Sequence, residues 1–444
     1  MSTTSSQLAE SWGRVTTSYE HVSAPVFTDE VPAARSHAQV LSLSTLATGM
    51  RRSYGDSAYN SNHHTIDMTR LDRVLSFNPE TGVIRAEAGL TIDQLLQIIV
   101  PTGWFVPTTP GTRYITLGGA TANDVHGKNH HRVGTFGNWI KKIGIHRSDT
   151  GTQTACPSHN PDLFTATIGG LGLTGVILWV EIQLLRVGSS YLSTSVKPFN
   201  CLEDYFELST QTSQTHEHSV AWVDCLSRGE GSERGLFNAS NWLNDGLYEA
   251  HANVQNSKMP FNLPSGIMNR HSVRLFNQLY FARGAKKSKQ ITQHYGDVFH
   301  PLDAIANWNR LYGKRGFYQY QCVIPSQHAL TGIRKLIAQI AASGQGSFLA
   351  VLKNFGDIRS PGLLSFPMPG TTLALDFPVA GKATHTLFNK LDSIVLDHGG
   401  RLYAAKDMRM TYTLFTQGLN QSINSFREQI DPGISSNLRR RLSL

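Results

Sequence analysis

Residues 110–138, PGTRYITLGGATANDVHGKNHHRVGTFGN, gather glycine, histidine and basic side chains more densely than any other part of the chain. Glycine has no β-carbon, so backbone N–H groups in such a stretch can approach a bound group closely. The small residues 120–123, which follow a glycine pair, are typical of a helix start whose free N–H groups can hold an anion. The stretch therefore predicts a site for a phosphate-bearing cofactor. Its ligand-facing glycines would be Gly111, Gly118, Gly119 and Gly127.

The basic run HGKNHHR at residues 126–132 admits other interpretations. His126 and His130 are spaced to share a helical face, which would suit a metal ion. However, the chain has no HExxH motif, and Lys128 and Arg132 would repel a cation. Nucleic-acid binding is disfavoured because no aromatic side chains interleave the run. The run is expected to attract an anionic cofactor or to form a solvated basic loop.

Length and composition limit the class of protein. The chain has 444 residues, of which 40% are hydrophobic, and a formal net charge of +8. Single cores stop growing at about 250–300 residues, so two domains are expected. The positive charge favours anionic partners, although it would also serve solubility.

Cysteine usage and the N-terminal segment bear on location. The cysteines lie far apart without a CxxC motif, so a metal ribbon or a disulfide-dense module does not fit, and a reducing, cytoplasmic setting is expected. No leader-like segment opens the sequence, and no apolar run approaches the ~18 residues of a membrane span. Any contact with the inner membrane, from the cytoplasmic or the periplasmic side, would be peripheral. The cysteines are Cys156, Cys201, Cys225 and Cys322.

The segment before the glycine-rich stretch predicts a strand, a turn and a helix. Apolar and polar residues alternate over 83–88, which is strand periodicity. Gly89 then turns the chain, and Thr91 with Gln94 forms a capping box before apolar residues at helical spacing over 92–99.

A second glycine motif lies at residues 170–175, GLGLTG, and matches the dinucleotide fingerprint GxGxxG. That fingerprint requires a preceding strand and a following helix. Here the order is reversed, because a short helix is predicted after Asn160 and an alternating strand from Val176 onward. We therefore reject a Rossmann fold. The glycines would either admit the backbone-hugging part of a cofactor or form a structural turn.

After about residue 187 the pattern predicts a second, α+β domain in which strands such as 219–223 and 317–324 alternate with helix-compatible stretches. Gln319 and Gln321 lie two apart in one strand and would point to the same face. Lys353 sits on another apolar strand. Amides and an ammonium in such places must find partners, which favours a lined site over plain core. Lys406, after an apolar LYAA run, is expected to be buried with a lowered pKa or paired with an anion.

Three further groups of side chains, near residues 12, 51–54 and 439–441, bear on docking and binding. Trp12 predicts that the N-terminal segment docks on the rest of the protein. Arg51 and Arg52 would face either a phosphate or solvent. Tyr54 would be either a reachable phenol or a core tyrosine. The basic residues 439–441 would form a solvated helix end or contact an anionic membrane surface.

Long motifs spread over the chain resemble one family of flavoenzymes. In order they are RRSYGDSAYN, the glycine-rich stretch, TIGGLGLTGVI, HPLDAIANWNRLYG, QYQCVIP, LSFPMPG, GGRLYAAKD and the Asp-Pro pair at residue 431. They are similar to the decaprenylphosphoryl-β-D-ribose 2'-oxidase family, within the vanillyl-alcohol-oxidase superfamily with a PCMH-type FAD domain. The resemblance runs from about Trp12 to the last residues.

The resemblance implies an α+β, two-domain protein. Residues 1–187 and 400–444 would form the FAD domain, and residues 188–399 a substrate domain built on an antiparallel sheet flanked by helices. FAD, held without a covalent bond, would accept a hydride from C2' of a polyprenyl-phosphate-linked ribofuranose. A partner short-chain dehydrogenase would reduce the resulting ketone, which completes an epimerisation to arabinofuranose. The alternative is a PCMH-type oxidase of a soluble sugar or aldonolactone.

Matching motif by motif also implies roles for single residues. Lys406 would orient the reacting hydroxyl and stabilise developing charge, with Tyr54 as the second candidate and Gln321 hydrogen-bonding near flavin or sugar. The implied FAD contacts are Arg52, Ser53, Tyr54, Gly55, Asp56, Pro110, Gly111, Thr112, Gly118, Gly119, Asn123, His126, Gly127, Lys128, Asn129, Gly170, Gly172, Gly175 and Lys406. The implied substrate contacts are His126, Gln319, Gln321, Lys353, Lys406, Trp222 and Tyr280; no metal is implied.

The chain departs from the family at one site position. Ala374 stands where mycobacterial members have a cysteine that is not needed for hydride transfer. Thr371 and Thr372 also differ from the family. The pocket is therefore expected to be altered locally, with activity retained.

Overall fold

The computed structural model describes residues 5–227, 231, 233–252, 257–264, 266–286, 290–419 and 422–444. The strands are β1 (Ser5–Glu10), β2 (Thr17–Ser23), β3 (Thr45–Thr48), β4 (His64–Asp67), β5 (Val74–Asn78), β6 (Val83–Glu87), β7 (Trp104–Phe105), β8 (Ile140–Arg147), β9 (Gly151–Ala155), β10 (Val176–Gln183), β11 (Leu185–Arg186), β12 (Tyr191–Phe199), β13 (His218–Val223), β14 (Gly235–Trp242), β15 (Ser257–Lys258), β16 (Gln290–His294), β17 (Ile305–Ala306), β18 (Phe317–Pro325), β19 (Ala350–Phe355), β20 (Gly370–Pro378) and β21 (Arg401–Leu402).

The α-helices lie between these strands and after them. They are α1 (Glu30–Val40), α2 (Ile92–Ile99), α3 (Leu117–Ala122), α4 (His130–Val133), α5 (Pro161–Thr167), α6 (Leu202–Ser213), α7 (Arg270–Lys286), α8 (Tyr295–Phe299), α9 (Ala329–Ser343), α10 (Lys382–Asp397), α11 (Tyr412–Thr416), α12 (Ser422–Glu428) and α13 (Asn437–Leu442).

The described N-terminal part contains two larger sheets and the short antiparallel pair β7-β11. Among the described residues, a four-stranded sheet has the order β1-β2-β4-β3 and a five-stranded sheet the order β5-β6-β10-β8-β9. The predicted strand at 83–88 is β6, and the predicted capping box before α2 is present, because Thr91 and Gln94 bond each other's backbone N–H groups. The GLGLTG turn lies between α5 and β10, as expected for a chain that is not a Rossmann fold.

The rest of the chain builds one large antiparallel sheet. Over the described ranges its order is β16-β12-β14-β13-β19-β20-β18-β21. Along β18 the side chains alternate: Tyr320 bonds Asp392 of α10 on one face, whereas Gln319 and Gln321 point away from that helix into a cavity. The prediction of an α+β protein is confirmed. Arg401 of β21 pairs with Val323 of β18, so the large sheet extends just past residue 400. The domain boundary at 400 stays a prediction.

One predicted helix start is displaced. α3 begins at Leu117, ahead of the small-residue run, because the Thr116 hydroxyl accepts the N–H of Gly119 and caps the helix. The glycine pair therefore forms part of the first helical turn.

The chain ends contact the body of the protein. Trp12 donates its backbone N–H to Ser53 and packs edge-on against Trp308, so the predicted docking of the N-terminal segment is confirmed. At the other end, Arg441 forms a bidentate pair with Asp56 at 2.8 Å, and Arg440 donates to Asn60. Arg441 thus fastens α13, while Arg440 is exposed as predicted for a solvated helix end. Contact of this run with a membrane surface stays a prediction.

A candidate cofactor and active-site cavity

A cavity of about 350 Å³ lies between the glycine-rich segments and the open face of the large sheet. Both halves of the chain line it, since α3 and the GLGLTG turn form one side and β18, β19 and β20 the other. Most residues singled out from the sequence meet here. They are Arg52, Ser53, Tyr54, Pro110, Gly111, Thr112, Gly118, Gly119, Asn123, His126, Gly127, Lys128, Gly172, Gly175, Gln319, Gln321, Lys353 and Lys406, together with Ala374.

The remaining predicted residues lie outside the lining. A β-carbon on Gly55 would lie 2.0 Å from the carbonyl oxygen of Asp407, so this glycine allows two loops to pass closely. Asp56 pairs with Arg441, and the Asn129 amide donates to the carbonyl of Pro107. Gly170 lies close to Ala166. Trp222 donates to the carbonyl of Phe348 and contacts Tyr280, so both rings lie beside the cavity wall and not on it.

Several lining residues were not predicted. Trp12 and Trp308 close one side, and Val220, Val351 and Tyr403 contribute apolar or aromatic surface. The sequence predicted that Trp12 docks on the protein but not that it lines this site, because the residues that surround it in the fold are distant in sequence. Val220 and Val351 carry only ordinary strand signals.

The glycine-lined side has features that fit a bound cofactor. Arg52 Nε and Asn123 Oδ1 are buried without a hydrogen-bond partner among the described residues, and both side chains line the cavity. Buried polar groups normally have partners, so the Arg52 donor and the Asn123 acceptor are suited to hydrogen-bond a ligand in the cavity. Added β-carbons on Gly111 and Gly172 would meet nothing within 4 Å, which leaves bare backbone beside open space. These groups fit a large polar ligand with an anionic part.

Arg52 is held in place by aromatic rings. Its guanidinium carbon lies 4.1 Å from the centre of the Trp12 ring and 5.6 Å from that of Tyr114. Burial lowers the pKa of Arg52, although the nearby Asp303 carboxylate opposes the change. A guanidinium that is stacked but incompletely hydrogen-bonded is suited to binding phosphate or another anion.

Lys406 and Tyr54 also line the cavity. The Lys406 ammonium is 4.2 Å from the centre of the Tyr54 ring. Burial raises the pKa of Tyr54 well above its usual value, so its phenol stays neutral. Burial lowers the pKa of Lys406 to about 8, and the field of Asp376 partly offsets this change.

Asp376 is a buried acid that was not predicted from the sequence. It lies opposite Gln319 in the register of β18 and β20, and the Gln319 amide donates to its Oδ1 at 2.7 Å. Its Oδ2 is buried without a partner among the described residues. Burial raises the pKa of Asp376 to about 7, while Gln319 and Lys406 act in the opposite direction. The carboxylate is thus the local counter-charge for Lys406.

His126 is surrounded by polar and aromatic groups. Lys353 Nζ lies 3.3 Å from its Nδ1 and the Gln321 amide nitrogen 3.2 Å from its Nε2, while Phe355 packs edge-on against the ring. Burial, followed by the charge of Lys353, lowers the pKa of His126 well below its usual value. The imidazole is therefore neutral at physiological pH.

The lysines give the cavity a positive potential. Burial lowers the pKa of Lys353 to about 7, with Lys128 and Lys406 adding to the effect. The pKa of Lys128 is also lowered by burial, to about 8, and its ammonium donates to the carbonyl of Val298. Clustered cations in a low-dielectric cleft attract anionic groups.

The predicted pairing of two histidines on one helical face is not present, because His126 precedes α4 and His130 lies within it. Within the described ranges, no group of three or more His, Cys, Asp or Glu side chains could hold a metal ion.

This fold and site define a flavoprotein. The FAD-binding domain family matches residues 20–157, which contain Arg52 and the cavity-lining glycines of residues 110–138 but not the GLGLTG turn. The protein is an FAD-dependent oxidoreductase. It belongs to the decaprenylphosphoryl-β-D-ribose oxidase family, since it is 33% identical over 416 residues to the decaprenylphosphoryl-beta-D-ribose oxidase of Mycolicibacterium smegmatis, a match that covers 90% of this chain and 89% of that protein.

Two other relatives differ in how much they share. An uncharacterized protein in the mprA 5' region of Streptomyces coelicolor is 31% identical over 376 residues, which is 80% of this chain and 100% of that protein. The human Delta(24)-sterol reductase is 24% identical over 160 residues, which is 36% of this chain and 31% of the reductase. Similarity to the sterol reductase is thus partial, whereas the first two matches extend over most of the chain.

The helices bear on membrane contact. In the part of the chain that the structure describes, no helix is both long enough and apolar enough to cross a bilayer.

Proposed function

We propose that this protein oxidises the C2' hydroxyl of a polyprenyl-phosphate-linked ribofuranose to the 2'-keto sugar, with FAD as the electron acceptor. The observation that carries the proposal is the match to the mycobacterial oxidase over 90% of the chain. Because it spans both the FAD-binding region and the large sheet, it includes both walls of the cavity. The substrate region, whose proposed bounds are 188–399, is therefore shared as well as the FAD region.

FAD supplies an acceptor for the hydride when it is bound. We propose that the glycine-lined wall holds it, with Arg52 and Asn123 as polar contacts, and that Gln319, Gln321 and Lys353 border the reacting sugar. The cofactor is held without a covalent bond. Two features support this: both nitrogens of His126 have polar neighbours, and no cysteine is among the residues found to line the cavity.

Loss of a hydride from a carbinol carbon requires that the hydroxyl proton be accommodated. Lys406 is placed to orient that hydroxyl and to stabilise the negative charge that develops on its oxygen. Asp376 keeps a counter-charge beside Lys406, and Gln319 fixes the carboxylate through its 2.7 Å hydrogen bond. Tyr54 packs against the ammonium and, because its phenol is neutral, is the second candidate for contact with the hydroxyl.

The proposed product is a ketone, so its conversion to the arabinose epimer needs a separate reductant. We propose a nicotinamide-dependent short-chain dehydrogenase as the partner for that step. The family of the chain supports this partner, and the substrate would be a lipid-linked sugar throughout.

The deciding experiment is an absorbance spectrum of the purified protein before and after anaerobic addition of polyprenyl-phosphoryl ribose. We expect a yellow protein that bleaches, and flavin that is released by acid precipitation. Bleaching by free sugars or aldonolactones alone would instead support the soluble-sugar oxidase. A protein that stays colourless after incubation with FAD would contradict both, and flavin that stays in the acid pellet would contradict non-covalent binding.

A further inference from the structure

Helix α7 exposes an apolar face. Leu275 and Leu279 lie one helical turn apart with 58% and 63% of their surface exposed, and the neighbouring Phe276 and Tyr280 are 42% and 46% exposed. Large apolar side chains that are contiguous on a surface mark interaction sites more often than isolated ones do. We refer to these four residues as the α7 face.

The orientation of α7 is fixed by its opposite side. Val273 and Asn277 are buried, and the Asn277 amide donates to Asp224 at 2.7 Å, next to β13. Further along, Gly284 comes so close to Leu236 of β14 that a β-carbon would lie 2.2 Å from its side chain. The helix is therefore docked on the large sheet, and Leu275 and Leu279 point outward because of that docking and not because the helix is loose.

Charge identifies the kind of partner. The sequence of α7, RHSVRLFNQLYFARGAK, contains four Arg or Lys residues and no acidic residue. Arg283 and Lys286 lie on the exposed side with the leucines. An outward face that combines apolar side chains with cations only is suited to an anionic lipid surface, where the leucines enter the acyl boundary and the cations meet headgroups.

Ring contacts connect the α7 face to the cavity. The centroids of Phe276 and Phe348 are 5.7 Å apart, those of Phe348 and Tyr312 5.9 Å, and those of Tyr312 and Trp308 6.5 Å. Trp308 lines the cavity. These rings form one packed aromatic cluster that joins the α7 face to a residue of the cavity wall. Tyr280, which contacts the buried ring of Trp222, lies with the α7 face and not among the residues that line the cavity.

We propose that the α7 face is a peripheral docking surface for an anionic lipid bilayer, placed so that a lipid-linked substrate passes from the bilayer into the cavity. The delivery of substrate rests on the proposed function. The binding of bilayer does not, and it is measured with vesicles that contain no sugar lipid.

The test is co-sedimentation of the full-length FAD-loaded protein with vesicles of phosphatidylcholine, with and without phosphatidylglycerol. We expect binding that requires phosphatidylglycerol and that a Leu275→Ser/Leu279→Ser variant loses by at least about tenfold, as expected from removing two leucine side chains from the acyl region. The matched control is Leu75→Ser on β5, which is 48% exposed and should bind like the parent protein. An Arg283→Gln/Lys286→Gln variant should lose the dependence on phosphatidylglycerol.

Circular dichroism and flavin content verify that each variant is folded. Equal vesicle binding by the leucine variant and the parent protein would overturn the proposal, as would an absence of binding by the parent. A dimer that dissociates in the leucine variant, seen by analytical ultracentrifugation without vesicles, would assign the face to a second copy of the chain and would also overturn it. If vesicles bind but lipid-linked ribose does not bleach the flavin, the docking surface stands and the proposed reaction fails.

Discussion

The Lys406 ammonium lies over the ring of Tyr54, 4.2 Å from its centre, where both border the cavity. This contact holds the cation without neutralising it, because the phenol is uncharged. The cation can thus respond to charge that develops on a substrate oxygen.

Replacing Lys406 should therefore slow chemistry more than binding. For Lys406→Met we expect the rate of flavin reduction by polyprenyl-phosphoryl ribose to fall about 100-fold, which is typical of losing a positioned proton-handling group. Flavin content should not change. Stopped-flow absorbance provides the measurement, and Lys406→Arg, which keeps the charge, should retain part of the rate. A Met variant as fast as the parent would remove Lys406 from the mechanism.

The pH dependence follows from the charges of Lys406 and Asp376. The proposed role needs the ammonium form, and the pKa of Lys406 is about 8, so flavin reduction should decline as pH rises through about 8. Asp376, with a pKa of about 7, is mostly ionised at pH 8 and raises the pKa of Lys406. Asp376→Asn should therefore move the decline to lower pH, while its side-chain oxygen still accepts from Gln319. A decline that stays in place, or a rate that increases with pH, would be inconsistent with this role.

Gly111 allows a graded test of the cofactor wall. It lines the cavity, and an added β-carbon would meet nothing within 4 Å, so larger side chains should be tolerated by the fold. We expect Gly111→Ala to weaken FAD binding and Gly111→Val to weaken it more, by about tenfold or more, because each carbon takes the space of the ligand. Fluorescence titration of the FAD-free protein measures the affinity. Thermal unfolding of the same FAD-free samples should be unchanged; equal FAD affinities would show that the cofactor does not approach this position.

The Asp56–Arg441 pair should contribute to stability. Arg441→Met leaves a mostly buried carboxylate without its bidentate partner, which we expect to cost about 3 kcal/mol in the free energy of unfolding. Urea denaturation gives the value. Arg427→Met is the control, because that guanidinium bonds an exposed carbonyl and packs on Tyr412. The double variant Asp56→Asn/Arg441→Met should be less destabilised than Arg441→Met alone; a larger loss in the double variant would argue against the ion pair as the cause.

Ala374 permits a test of the altered pocket. It lies in register with Gln321 and Val351 and borders the cavity. Ala374→Cys should leave flavin reduction unchanged, since one added sulfur atom neither gives nor takes the hydride. It should also create a thiol that a maleimide labels more slowly when substrate is present. Equal rates of maleimide labelling with and without substrate would show that the sugar does not lie beside this position.

Local patterns in the sequence were sufficient for several parts of this site. Alternation along β18 placed Gln319 and Gln321 on one face, and the spacing of Thr91 and Gln94 identified the start of α2. The start of α3 differs from the prediction although Thr116 is a typical N-cap residue, because a glycine pair usually precedes a helix and here forms part of its first turn. Asp376 could not be assigned, since only the register of β18 and β20 places it beside Gln319.

The arginines of α13 show that sequence patterns also fail to identify partners that are distant in the chain. Nothing near residues 439–441 indicates an acidic partner, and a basic helix end usually lies in solvent. The partner of Arg441 is Asp56, two residues after Tyr54, and only the folded chain brings the two together.

The Asp56–Arg441 contact also sets an order of events during protein synthesis. The two residues are 385 positions apart, so at ribosomal speed roughly 20–80 s separate their appearance. During that interval the nascent loop that carries Tyr54 has no brace from α13. The loop that carries Tyr54 is fastened to α13 only after translation has passed Arg441.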